Sequence, residues 1–322
     1  MPKLSEYITA LESNGALHHG ALLSDEYKKI ALNAFVNTNE TKISKKDFKE
    51  NGAQYSLVRD EQGKIFAIYN PGKKQGIANG AFGIIKIAQN IETNEWCLVK
   101  IQKIKKQGNN LPGFIDKIHA EKKFVNKAQI LHGYQQRMSV EKNTFISYIF
   151  MAEVPGLAVI DAIHPERGFA KSQGENLTDL QRLVILKNAL ARLNELRQNN
   201  IIHRDLSPQN IFIDEDLQVH FIDWGAAAES DMQGFCNDFP PQLGALRRKI
   251  RYANGYDFIT LLDTLSELNV LDNPEIRGEI LRMRNQCGDN KKGYNSIDLT
   301  SLINSTQNLI DQYCSKQQKM SI

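Results

Sequence analysis

Apolar residues in the first forty positions fall at helical spacing, with Ile30, Leu32 and Phe35 following Ser24, Asp25 and Glu26. A hydroxyl residue ahead of two acids is a helix-start signal, so two helices are predicted between Leu4 and Thr38, the second beginning after Ser24. Between Tyr55 and Tyr69 the pattern changes to short β-rich runs on either side of Asp60-Glu61-Gln62-Gly63, which predicts a hairpin. A second hairpin is predicted from Phe82 to Gln89, a turn over 91–94, and Trp96 to Gln102. A helix over 115–131 and an apolar strand over 145–151 follow, ending at Val154-Pro155-Gly156. Beyond that point the chain reads as mostly helical. Its clearest helix spans 177–198, with Leu183, Leu186, Leu190, Leu193 and Leu196 as the buried stripe, and an amphipathic segment over 297–313 closes the pattern.

Composition narrows the function classes. The 322 residues are 41% hydrophobic and 24% charged, ordinary for a globular chain large enough for two cores. Forty basic against 37 acidic residues leave a formal charge of +3, too even a mixture to make nucleic acid the expected partner. Cys97, Cys236, Cys287 and Cys314 show no CxxC or Cys/His spacing, which argues against structural zinc or a disulfide framework and fits a reducing compartment. The first residues lack the apolar core of a signal peptide, and Glu153 interrupts the most apolar stretch before membrane length. The expectation is a soluble, cytosolic protein with no transmembrane segment.

Chemistry concentrates in five places. His203-Arg204-Asp205-Leu206-Ser207-Pro208-Gln209-Asn210 follows the long helix and precedes the apolar pair Ile211-Phe212, reproducing the pattern HRDLxxxN. Phosphoryl transfer needs a carboxylate to orient a hydroxyl and accept its proton, and an oxygen ligand for Mg2+; Asp205 and Asn210 suit those roles. Val219 to Ile222 reads as a strand delivering Asp223-Trp224-Gly225, so that Asp223 adds a second hard oxygen donor. Ala78-Asn79-Gly80-Ala81-Phe82-Gly83-Ile84-Ile85 is a glycine-rich turn with Ala78 in its first glycine place. It leads to a strand carrying Lys100, where backbone N–H groups and a cation can meet phosphates. Glu121 is the only acid between Lys117 and Val140, in a basic stretch, which invites an ion-pair role.

In these motifs, and in their order, the chain resembles the eukaryotic-like protein kinase family, of the serine/threonine type, from about Gly63 to its end. The resemblance implies an α+β bilobal fold with a small β-rich lobe over 55–153 and a larger helical lobe over 154–322, preceded by a helical extension over 1–54. It implies ATP near 151–154 with Met151 at the gatekeeper place. Ala78, Gly80, Phe82, Gly83, Ile85, Leu98, Lys100, Met151, Val154, Phe212 and Ile222 would contact the nucleotide, and Asn210 and Asp223 would hold Mg2+ (or Mn2+). Asp205, Lys100, Glu121 and Arg204 would form the catalytic set, with Glu121 pairing Lys100 and so orienting it toward the α- and β-phosphates. Asp257 looks like the helix-borne aspartate that supports the catalytic loop. The implied partner is a protein substrate.

The departures from the family pattern carry information. Ser207 stands where such kinases place a lysine near the transferring phosphate, which predicts slower chemistry or another cation filling in. Leu98 replaces an alanine over the adenine ring, and Pro240-Pro241-Gln242 is the nearest match to Ala-Pro-Glu. Arg204 is expected to meet an anion supplied by Glu229, Asp231 or Asp238, or by phosphorylated Ser230. Three rival readings stay open: a small-molecule kinase of the aminoglycoside or choline kinase type, suggested by Ile222-Asp223-Trp224 and Ser207; a pseudokinase scaffold, suggested by Ala78, Leu98 and the degenerate activation segment; and a kinase fold that transfers another group, such as AMP from ATP, since the same residues would position nucleotide and metal. The basic stretches over 100–106 and 122–127 could receive a polyanion or regulatory partner. An excess of Lys over Arg with many Asn and Ile points to an A/T-rich bacterial genome, in which a kinase of this style would resemble an effector delivered into a host cell.

Overall fold

The computed structural model describes residues 4–13, 20–36, 38–44, 48–50, 53–70, 78–80, 83–105, 111–139, 143–160, 177–231, 235–236, 252–266, 273–289, 293–295, 297 and 299–320. They fall into two compact units, Met1–Glu153 and Val154–Ile322.

The first unit opens with α1 (Leu4–Ser13) and α2 (Asp25–Val36), the two helices that the apolar spacing predicts. Ser24 caps α2 as its chemistry suggests, its hydroxyl accepting the Tyr27 N–H at 3.3 Å. The strands are β1 (Lys42–Ile43), β2 (Lys49–Glu50), β3 (Ala53–Arg59), β4 (Ile65–Asn70), β5 (Ala78–Gly80), β6 (Gly83–Asn90) and β7 (Trp96–Lys105), followed by α3 (Leu111–Lys127), β8 (Leu131–Ser139) and β9 (Thr144–Met151). They make one antiparallel sheet in the order β1-β3-β4-β6-β7-β9-β8, with β2 on β3 and β5 on β6. Both predicted hairpins are present as β3–β4 and β6–β7.

The predicted helix over 115–131 is corrected to Leu111–Lys127, and its last predicted residue opens β8, a strand that the apolar pattern did not reveal. The stop is made by main-chain geometry: Gln129 adopts φ +59, its N–H bonds the Asn126 carbonyl at 2.9 Å, and Ile130 N–H reaches back to Val125 at 3.3 Å. This is the paired terminal bonding that glycine usually permits, built here around a glutamine.

Two apolar clusters use the sheet. Phe66 and Phe150 stack at 4.0 Å between ring centroids in one of them. The other joins Leu4, Leu11, Leu22, Leu23, Ala31 and Phe35 of the N-terminal segment to Tyr55, Leu57, Ile65, Ala67, Ile87 and Ile91 of the strands. Polar bonds hold the same junction: buried Gln89 accepts the Leu22 N–H at 2.8 Å and donates to Gly20 and Asn94 carbonyls, and Glu153 accepts the Leu4 N–H at 2.5 Å. The N-terminal helices are therefore built into the core of this unit.

The second unit contains β10 (Leu157–Ala158), α4 (Asp179–Gln198), β11 (Ile201–Ile202), β12 (Ile211–Ile213), β13 (Val219–Phe221), β14 (Ala228–Glu229), β15 (Phe235–Cys236), β16 (Tyr252–Ala253), α5 (Asn254–Ser266), α6 (Pro274–Gln286), β17 (Gly288–Asp289), β18 (Gly293–Tyr294) and α7 (Thr300–Met320). Thr178 and Gln181 cap α4 reciprocally, and all five predicted leucines of its stripe are buried. Short strands punctuate the helices, chiefly the antiparallel β10-β12-β13 and the β11–β14 pair. Gly156 has φ +97, and a Cβ there would lie 2.2 Å from the Ile213 carbonyl oxygen, so only glycine lets β10 approach β12. Among the described residues no helix is long and apolar enough to cross a membrane.

Because Leu23 is 1% exposed at the helix–sheet junction, Leu23→Ala should destabilise the protein by about 2–5 kcal/mol. Denaturant unfolding checks this; an unchanged midpoint would show that the N-terminal segment adds nothing to the core.

Candidate active site

In the first unit, β7 places Lys100 on the sheet and α3 brings Glu121 to it. Lys100 Nζ lies 2.5 Å from Glu121 Oε1, with both residues buried. Glu121 Oε2 accepts from Gln102 Nε2 at 2.9 Å, and Gln102 Oε1 accepts from the Ser147 hydroxyl at 2.9 Å. Lys100 pairs with Ile85 across β6–β7, and Leu98 with Met151 across β7–β9; Leu98 is half-buried and packs beside the N-terminal cluster. Ala78 and Gly80 stand in β5 opposite Ile85 and Gly83, while Phe82 lies outside the described residues. A Cβ on Gly83 would come within 2.8 Å of the Ile101 carbonyl oxygen, which keeps this strand start a glycine.

In the second unit, the loop from His203 to Asn210 hangs on one buried carboxylate. Asp257, on the first turn of α5, accepts the main-chain N–H of His203 at 2.5 Å and of Arg204 at 2.7 Å. Burial pushes its pKa up to about 7, against the pull of those two N–H groups and of the Arg204 charge, while Asp205 pushes it further up. Thr264, two turns further along α5, donates to the Leu206 carbonyl at 2.9 Å. Arg204 takes φ +66 and its buried guanidinium donates to the carbonyls of Ala226 at 2.6 Å and Ala227 at 3.5 Å. Those carbonyls belong to the segment after Asp223, which is also pinned by β11–β14 pairing and by Ser230 N–H on the Asn200 carbonyl at 2.7 Å. Glu229 and Asp231 are exposed; Asp238 and the stretch 240–242 lie outside the described residues.

Asn210 is oriented by the same loop. Its Nδ2 donates to the Asp205 carbonyl at 3.0 Å, and a carbonyl can only accept, so Oδ1 is the atom left for a cation. The Ile222 N–H bonds the Asn210 carbonyl at 3.0 Å, which seats the end of β13, and hence Asp223, beside Asn210. Asp223 itself has φ +62. One amide oxygen and one carboxylate form a hard donor set of the kind Mg2+ accepts when water and phosphate fill its other positions; the described residues contain no group of three or more His, Cys, Asp or Glu that would hold a metal unaided. Phe212 is buried on β12 and Ile222 and Val154 are half-buried.

His203 is fully buried, its ring 4.7 Å from that of Trp224, and Nε2 lies 3.0 Å from the Ile222 carbonyl. That contact requires the proton on Nε2. Desolvation lowers the ring's pKa to about 4, opposed by the Asp223 charge and the Ile222 carbonyl. Sequence reading gave Gln102, Ser147 and Thr264 no role; the available signal was a polar side chain interrupting an apolar strand or helix stripe.

The sequence model of the protein kinase domain matches residues 72–239, more than half of the chain. The chain belongs to the protein kinase domain family. It is 28% identical over 153 residues to the serine/threonine-protein kinase grp of Drosophila melanogaster, covering 48% of this chain and 27% of that protein. It is 28% identical over 154 residues to the maternal embryonic leucine zipper kinase of Danio rerio, covering 48% and 21%. It is 26% identical over 191 residues to the inhibitor of nuclear factor kappa-B kinase subunit alpha of the same fish, covering 57% and 24%. The chain thus spans about a quarter of the length of these relatives. Protein kinases as a family use ATP and a divalent cation.

The buried His203 ring sets a pH dependence. Between its ordinary value of 6.5 and about 4 the unfolded chain takes up a proton that the folded chain refuses, so stability present above pH 6.5 is lost as pH falls through this window. Thermal unfolding should show a smaller loss from pH 6.5 to 4 in His203→Gln than in the wild type; equal slopes would remove His203 from the account.

Proposed function

We propose that this protein is an ATP-dependent serine/threonine protein kinase. The observation that carries this reading is the formed, buried Lys100–Glu121 pair, because a lysine held by a carboxylate on a neighbouring helix is oriented for phosphates rather than spent on the surface. The Asp205 loop with its oriented Asn210, and relatives that are serine/threonine kinases, support it.

Bound ATP would supply the γ-phosphoryl group, and its divalent cation would neutralise charge on the phosphates. Lys100, its direction fixed by Glu121, would supply the positive charge for the nucleotide phosphates. Asp223 and the Oδ1 of Asn210 would hold the cation. Leu98 and Met151, paired across two strands, would offer apolar surface to the base. Asp205 would accept the proton of the substrate hydroxyl that takes the γ-phosphoryl group, leaving ADP. Arg204 holds the segment after Asp223 through the Ala226 and Ala227 carbonyls, so that its part is to position this segment. The division into a small β-rich lobe over 55–153 and a larger helical lobe over 154–322, with 1–54 bracing the first, follows the same reading.

With γ-labelled ATP and Mg2+ or Mn2+, purified protein should label itself or a generic protein acceptor. Asp205→Ala and Asp223→Ala should each lower transfer by about 100- to 10,000-fold, and a chelator should abolish it. Label appearing only on small-molecule acceptors, or persisting in both variants, would sink the proposal. Ser207→Lys, which adds a cation beside the transferring group, should raise turnover several-fold in the same assay; unaltered turnover would show that the missing charge is not limiting.

A further inference from the structure

Three polar side chains form a row in the first unit. Lys100 and Gln102 lie two residues apart on β7 and so project to the same face, and Ser147 of β9 stands directly opposite Gln102 in the register. Glu121 on α3 meets the row: Oε1 lies 2.5 Å from Lys100 Nζ and Oε2 lies 2.9 Å from Gln102 Nε2, while Ser147 Oγ is 2.9 Å from Gln102 Oε1. Lys100, Gln102, Glu121 and Ser147 are 8%, 4%, 3% and 0% exposed, so these bonds form out of reach of bulk water.

The direction of the bonds is fixed by chemistry. A carboxylate paired with a lysine can only accept, so the amide nitrogen of Gln102 must face Glu121. Its oxygen then faces Ser147, whose hydroxyl must donate. Donation runs one way, from Ser147 to Gln102 to Glu121. With Lys100 alone, one oxygen of a buried carboxylate would lack this donor, and its terminal torsion, which is broad in glutamate, would be less constrained.

We infer that Gln102 is a positioning residue for this site: by holding Oε2 it fixes the plane of the Glu121 carboxylate, and with it α3, so that Oε1 stays on Lys100 before nucleotide arrives. The inference rests on the reading of Lys100 as the phosphate-binding lysine. A neutral amide suits this task, since it leaves the Lys100–Glu121 charges balanced, whereas a cation at 102 would compete with Lys100 for the carboxylate.

Gln102→Met keeps the length and volume of the side chain and removes the donor. It should weaken Mg–ATP binding, measured by titration calorimetry, about tenfold, and hydrogen exchange should quicken at the main-chain amides of 111–127. Ser147→Ala, which only frees the amide to rotate, should shift both readings the same way by a smaller factor, and it carries the test if the methionine variant does not fold. In a Glu121→Ala background, Gln102→Met should add no further loss of affinity, because its effect passes through that carboxylate. Unchanged affinity and exchange in the single variants, or an undiminished effect without Glu121, would overturn the inference. Faster exchange over 111–127 in a protein that transfers no phosphate would keep the positioning role and sink the kinase reading, so the two failures are distinguishable.

Discussion

A lysine and a glutamate 21 residues apart in sequence are buried against each other at 2.5 Å, and the first unit is arranged to make that tolerable. Removing two charges from water costs several kcal/mol per ion in a protein interior unless their remaining bonding capacity is met. Glu121 meets it with two donors from one strand face, Lys100 and Gln102, and Gln102 is in turn met by Ser147. The antiparallel register of β7 on β9 puts Ser147 opposite Gln102, and the carboxylate position depends on where α3 starts and stops. The main-chain bonds of Gln129 and Ile130 that end α3 after Lys127 thus act on the same helix that carries Glu121 to Lys100.

The second unit applies the same physics to main-chain groups. Asp257 is fully buried and takes two N–H groups from His203 and Arg204, so the loop over 203–210 is fastened through its main chain. Arg204 and Asp223 both have left-handed backbones, conformations that cost energy in non-glycine residues and persist where surrounding bonds impose them. The bonds are on hand: Arg204 to the Ala226 and Ala227 carbonyls, Ile222 to Asn210, His203 to Ile222. The backbone of this loop is held largely by side chains and carbonyls of its neighbours.

Much of this was legible in the chain. The octapeptide 203–210 and Asp223-Trp224-Gly225 are local motifs whose spacing reflects one loop and one strand end, and the helix over 179–198 announced itself through five leucines. Hairpins β3–β4 and β6–β7 were marked by turn residues. The strand β8 was not, because its run Leu131 to Ser139 carries His132, Gln135, Gln136 and Arg137 and follows a helix that ends without a glycine. Gln102 and Thr264 looked like ordinary polar residues, since their partners are 19 and 58 residues away.

The sequence by itself determined the family, the chemical inventory and most of the elements, because these depend on local spacing and on which functional groups occur at all. Only the tertiary structure decided that the N-terminal helices share the core of the sheet, that Glu121 is held by two donors, and that Thr264 ties the Leu206 carbonyl to α5. Each of those is a meeting of groups distant along the chain, fixed by burial and by the cost of leaving a buried polar group unbonded, and neither condition can be read until the chain is folded.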